Sequence, residues 1–81
     1  IAFLDIMPLS PGHILLCPRS HAPKLTDVSP SEARELGYHL RIISSAVVRA
    51  TGVSDWNVVQ NNGKAAAQVV EHAHFHVIPR P

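Results

Sequence analysis

Three histidines fall on alternate residues of one short stretch, His72-Ala73-His74-Phe75-His76-Val77-Ile78, in a chain that has six in all. An imidazole can carry a proton near neutral pH, bind a metal or attack an electrophile. Strict alternation over this length predicts a strand. On a strand, side chains i, i+2 and i+4 point the same way. The stretch therefore predicts a row of imidazoles on one face, with Ala73, Phe75 and Val77 turned into a core. Pro79 is expected to stop the ladder.

Such a row admits three readings. The first is the polar face of a half-exposed strand, with no chemistry. The second is a metal site. Neighbours i and i+2 lie about 6.5 Å apart and i to i+4 about 13 Å, while a zinc–nitrogen bond is about 2 Å. One ion could join two of these histidines, and a third ligand would come from His13 or His21. The lone Cys17 offers no Cys-x-x-Cys spacing. The third reading is phosphorus chemistry. With Nδ1–H held by a carbonyl, a neutral imidazole aims its Nε2 lone pair as a nucleophile. Same-face neighbours could then donate hydrogen bonds to phosphate oxygens or assist proton transfer.

The elements that must position this row follow from the rest of the chain. Residues 1–7 read as a buried strand whose only charge is Asp5, and Pro8-Leu9-Ser10-Pro11-Gly12 as a turn. His13 to Cys17 reads as a second strand, closed by Pro18 and paired antiparallel with the first. Ser29-Pro30-Ser31-Glu32 is a helix start, with Ser29 as cap, Pro30 in the first position and Glu32 completing a capping box. Ala33, Leu36, Leu40, Ile43, Val47 and Ala50 form one apolar stripe, and Gly52 ends the helix. Trp56 to Asn61 reads as a third strand, and Asn61 to Gln68 as loop before the histidine strand. The order implies an α+β domain: an antiparallel sheet of about four strands with one long helix on one face. The histidines are expected on the face away from that helix.

Eighty-one residues suit one small domain, 1–81. The charged fraction of 16% is low, which predicts either a covering partner chain or an absent part of the domain. A net charge of +1 gives no electrostatic case for nucleic acid. One cysteine cannot form an internal disulfide, which points to a reducing, intracellular compartment, cytoplasmic or nuclear. No apolar run is long enough to call for a membrane. The chain is apolar from Ile1 and ends just after the histidines, so a domain trimmed at both ends is expected.

His-φ-His-φ-His-φ-φ, with φ apolar, resembles the signature of the histidine triad (HIT) superfamily of nucleotide hydrolases and transferases. Similarity extends to Phe3-Leu4-Asp5-Ile6-Met7-Pro8, to Pro11-Gly12-His13-Ile14-Leu15-Leu16-Cys17-Pro18 and to Gln60-Asn61-Asn62-Gly63. The resemblance implies that His74 is the nucleophile toward an α-phosphorus. His72 and His76 would then hold phosphate oxygens, with His13 as support. It implies that Asp5 accepts hydrogen bonds from ribose hydroxyls, that Phe3 and Ile6 line the nucleoside, and that Asn61, Gln68 and Val69 lie on the phosphate side. Relatives often carry a small hydroxyl residue where Val69 stands and Gly where Ala67 stands, so here only backbone N–H could serve at Val69.

His76 rather than Gln at the third position favours hydrolysis over nucleotidyl transfer. Asn61 leans toward the Hint-like branch, whose members cleave the P–N bond of adenosine phosphoramidates through a nucleotidyl-histidine. The alternatives are Fhit-like hydrolysis of dinucleoside polyphosphates and nucleotide binding without catalysis. A purine nucleotide substrate and a homodimer are implied, with no cofactor, no metal, no nucleic acid and no membrane.

Overall fold

The computed structural model describes residues 1–5 and 8–81. Its longest element is helix α1, Pro30–Thr51. The Ser29 hydroxyl accepts the Glu32 N–H at 3.2 Å, satisfying one of the orphan amides of the first turn. Gly52, at φ +70°, caps the other end and donates its N–H to the Val48 carbonyl. The capping box is half realised, because a Glu32 carboxylate oxygen faces the Ser20 N–H instead, at 3.5 Å.

Strands β1 (Ala2–Leu4), β2 (Ile14–Leu16), β3 (Trp56–Val59) and β4 (Phe75–Pro79) form one antiparallel sheet in the order β1-β2-β4-β3. Residues opposite each other on neighbouring strands share a face. One rung across the sheet is Phe3, Leu15, His76 and Val59. The adjacent rung, Leu4, Ile14, Val77 and Val58, points the other way. On that second face Leu16, Val77 and Pro79 are buried together with Leu36 and Val47 of the helix. His76 thus lies on the face opposite the helix, and an α+β sheet with one covered side is the observed architecture.

Two local expectations change. β1 was expected to be buried, yet Phe3 is 49% and Leu4 65% exposed. It is an edge strand, and no element covers its outer face among the described residues. The histidine strand begins at Phe75 rather than His72. Its neighbour β2 ends at Leu16, Cys17 donates its N–H to Ile1, and Pro18 has none to give, so the ladder has no partner beyond Phe75. Pro79 ends the ladder as expected: it is the last residue of β4, paired with Trp56 and buried.

The helix stripe is buried only in its middle. Twenty-two residues make a rod of about 33 Å, while strands of three to five residues span about 10–17 Å. Leu36 and Val47 sit over the sheet, and Ala33 and Ala50 overhang it in solvent.

Candidate active site

The segment ahead of β4 is fastened to the loop after β2. Ala73 N–H donates to the Ala22 carbonyl, and His72 Nε2 lies 2.9 Å from the Pro18 carbonyl. A carbonyl only accepts, so His72 carries its proton on Nε2 and spends it there. Ala73 is fully buried, and the alternation continues through Phe75 to Val77 even where the ladder is absent. His72 and His74 therefore share a hollow with Phe3, Asp5, Leu15, Cys17 and Val70, of about 330 Å³.

His74 Nδ1 lies 2.8 Å from the His72 carbonyl two residues back. Its proton therefore sits on Nδ1, and Nε2 keeps its lone pair. The rings of His74 and His76 meet edge to face, with centroids 4.9 Å apart. His76 in turn meets His13, centroids 5.1 Å apart, with 2.9 Å between His13 Nε2 and His76 Nδ1. His13 is buried, and the Leu9 N–H donates to its Nδ1 at 3.2 Å. The Leu9 N–H makes that nitrogen an acceptor, so the His13 proton sits on Nε2 and is donated to His76 Nδ1. His76 is left with its proton on Nε2. Two linked hydrogen bonds thus assign the tautomers of His13 and His76, as separate bonds to carbonyls assign those of His72 and His74.

Burial, His74 and His13 together hold the His76 imidazole below its ordinary pKa; Asp5 opposes them by a smaller amount. His76 is consequently a neutral N–H donor at neutral pH. The Asp5 carboxylate lies 3.5 Å from His13 Nε2, and its backbone N–H donates to the His13 carbonyl. Asp5, His13, Asn61 and His76 line a second hollow, of about 370 Å³, on the other side of Asp5.

Comparison with known proteins decides the family. The HIT domain model matches residues 1–81. An adenylylsulfatase of Arabidopsis thaliana is 44% identical over 80 residues, covering 99% of this chain and 41% of its own length. An adenosine 5′-monophosphoramidase of Schizosaccharomyces pombe is 43% identical, covering 100% of this chain and 58% of its own. A hypothetical protein from Leishmania major superposes with a TM-score of 0.92 at 46% identity, over 98% of this chain and 56% of that one. The chain belongs to the HIT domain family. It spans about half the length of the curated relatives it matches.

Within this HIT domain the remaining expected residues divide. Phe3 and Asp5 line the hollow beside His74, and Asn61 the one beside His76. Ile6 lies outside the described residues. Gln68 is buried, and its side chain works as a staple: the amide oxygen accepts the Gly63 N–H at 2.6 Å and the amide nitrogen donates to the Pro23 carbonyl. Its backbone N–H goes to the Gly63 carbonyl. Gln68 shapes the loop, while Val69, 91% exposed, is the next residue toward the histidines. Ala67 has φ +67°, so the loop turns there through a left-handed residue, a conformation that Gly adopts without strain.

Leu15, Cys17 and Val70 were not anticipated. Leu15 and Cys17 had a signal, since alternation along the predicted strand puts both on the face of His13, and the antiparallel register puts Leu15 on the rung of Phe3 and His76; Val70 had none. Among the described residues, Asp5, His13 and His76 bring ligand-type atoms within 4.8 Å of one another, compact enough for a cation. The hydrogen bonds oppose that use. His13 Nε2 carries the proton because the Leu9 N–H occupies Nδ1, so a metal could bind there only after that bond broke.

Proposed function

We propose that this chain is the catalytic domain of a nucleotide hydrolase of the Hint-like kind, cleaving the P–N bond of an adenosine 5′-phosphoramidate. The observation that carries the reading is the bond from His74 Nδ1–H to its own loop carbonyl, which leaves Nε2 as an aimed, unprotonated nucleophile. The nucleoside would lie in the apolar hollow over Phe3 and Leu15, its ribose hydroxyls toward the acceptor-only Asp5.

His74 Nε2 attacks the α-phosphorus. The N–P bond to histidine forms, the P–N bond to the amine breaks, and the amine leaves with a proton from solvent. Water then adds to phosphorus, the histidine N–P bond breaks, and AMP and a proton are released. The neutral His76 N–H and the Asn61 amide stabilise charge on the phosphate oxygens. His72 buttresses the loop instead of donating to phosphate, because its N–H is already given to Pro18.

The same reading includes a homodimer. β3 is an open sheet edge, and Trp56 and Val58 lie 42% and 44% exposed beside a groove of about 590 Å³ shared with Leu40, Ser44 and Val48 of the helix.

Steady-state turnover of adenosine 5′-phosphoramidate and of a diadenosine polyphosphate by the full chain tests the branch. The phosphoramidate should be the faster substrate; the reverse order would assign Fhit-like hydrolysis. His74→Ala should abolish turnover and the acid-labile AMP adduct seen on rapid quenching, while the circular dichroism spectrum is retained. An adduct that persists in that variant would remove His74 as nucleophile.

A further inference from the structure

We propose that Ser10 is a positioning residue that sets the tautomers of the His13–His76 pair. The inference rests on the reading of the histidine row as the reaction centre. Ser10 sits in the turn between β1 and β2, and its hydroxyl donates to the Pro79 carbonyl at 2.6 Å, across 69 residues of sequence. Pro79 is the buried last residue of β4, three positions past His76. The Ser10 carbonyl accepts the His13 N–H at 3.2 Å, and the neighbouring Leu9 N–H reaches His13 Nδ1. One residue thus ties the turn to the strand of the site and to the histidine behind it.

The consequence is a matter of single protons. While the turn is tied down, Leu9 N–H occupies His13 Nδ1, and the proton on Nε2 is donated to His76 Nδ1. Without the Ser10 hydroxyl, the turn loses its anchor to β4 and Leu9 can leave the ring. His13 is then free to carry its proton on Nδ1. Its bare Nε2 would face the bare Nδ1 of His76 at 2.9 Å. That repulsion is relieved when His76 shifts its own proton to Nδ1, which strips Nε2 of the donor that a phosphate oxygen needs. Ser10 touches neither substrate nor reacting atoms; it acts through two rings.

Long-range 1H–15N correlation on the histidine-labelled full chain reads each tautomer directly. Wild type should show His13 and His76 with the proton on Nε2. Ser10→Ala should show a mixture at both, and Ser10→Thr, which keeps the hydroxyl, should restore the wild-type pattern. Turnover of adenosine 5′-phosphoramidate by Ser10→Ala should fall about tenfold in kcat, with KM within about twofold. Should the alanine chain not fold, Ser10→Cys, nearly isosteric and a weak donor, serves in its place. His13 protonated on Nδ1 in wild type would overturn the proposal. So would a spectrum of Ser10→Ala identical to wild type. An inactive wild type whose tautomers still follow Ser10 would refute the proposed reaction and leave the role of Ser10 standing.

Discussion

Gly12→Ala should destabilise the chain by about 2–5 kcal/mol, a sum of backbone strain and a steric clash. Gly12 has φ +89°, where a side chain costs about 1–2 kcal/mol. An added Cβ would stand 2.8 Å from Thr51 Cγ2 and 3.4 Å from Pro79 Cγ. Pro79 is rigid and buried. Thr51 cannot rotate away cheaply, because its hydroxyl donates to the Val47 carbonyl at 2.7 Å and accepts the Val53 N–H at 3.2 Å. Relief of the clash therefore requires overpacking of about 1–3 kcal/mol or the loss of hydrogen bonds of about 1 kcal/mol each.

The assay is a double-mutant cycle by urea denaturation at fixed protein concentration. Thr51→Ser removes the offending methyl and keeps the hydroxyl. Combined with Gly12→Ala it should recover about 1–2 kcal/mol, the clash, and leave the backbone strain in place. In a thermal melt, each kcal/mol moves the midpoint by about 4–8 °C for a domain of this size. A loss below about 0.5 kcal/mol for Gly12→Ala, or no recovery with Thr51→Ser, would show that the turn does not bear on the helix end as described.

Further outcomes follow from the site. Because His76 is held below its ordinary pKa, the unfolded chain binds more protons than the folded one between the folded value and about 6.5. Its contribution to stability is complete above that window and is lost as pH falls through it. Asp5→Asn should move that window lower still, since Asp5 raises the His76 value; an upward move in the pH dependence of the unfolding free energy would contradict the sign. Asp5→Asn should also raise KM for a ribose substrate, and an unchanged KM would make Asp5 purely structural. Gln68→Ala should cost about 2–3 kcal/mol by leaving the Gly63 N–H and Pro23 carbonyl unpaired, and a melt within 2 °C or so of wild type would mean that water replaces the staple.

The helix was legible because its signals are local. Ser29, Pro30 and Gly52 fix its ends through their own side chains and backbone angles, whatever the sheet does. The apolar stripe was legible in period but not in extent, because the length of the sheet beneath it is set by other segments. The start of the histidine strand was misplaced for the same reason: a ladder stops where its partner stops, and Cys17-Pro18 decides that from 58 residues away along the chain. Side-chain alternation survived that error, so the row of imidazoles was still placed on the correct face. Gln68 was legible as important but not in its use, since nothing local says that Pro23 lies beside it. Ser10 read as one turn residue among several, because its partner is at the other end of the chain.

The attachment of residues 72–74 has a kinetic meaning. These residues hang on Ala22 and Pro18 by two hydrogen bonds and belong to no rung of the sheet. Unfastening them sacrifices about 2–3 kcal/mol, far less than global unfolding, whose scale is about 5–15 kcal/mol. This segment can therefore open and close locally while the sheet stays closed. Amide exchange at Ala73 should outpace that at Val77, although both side chains are equally hidden from solvent.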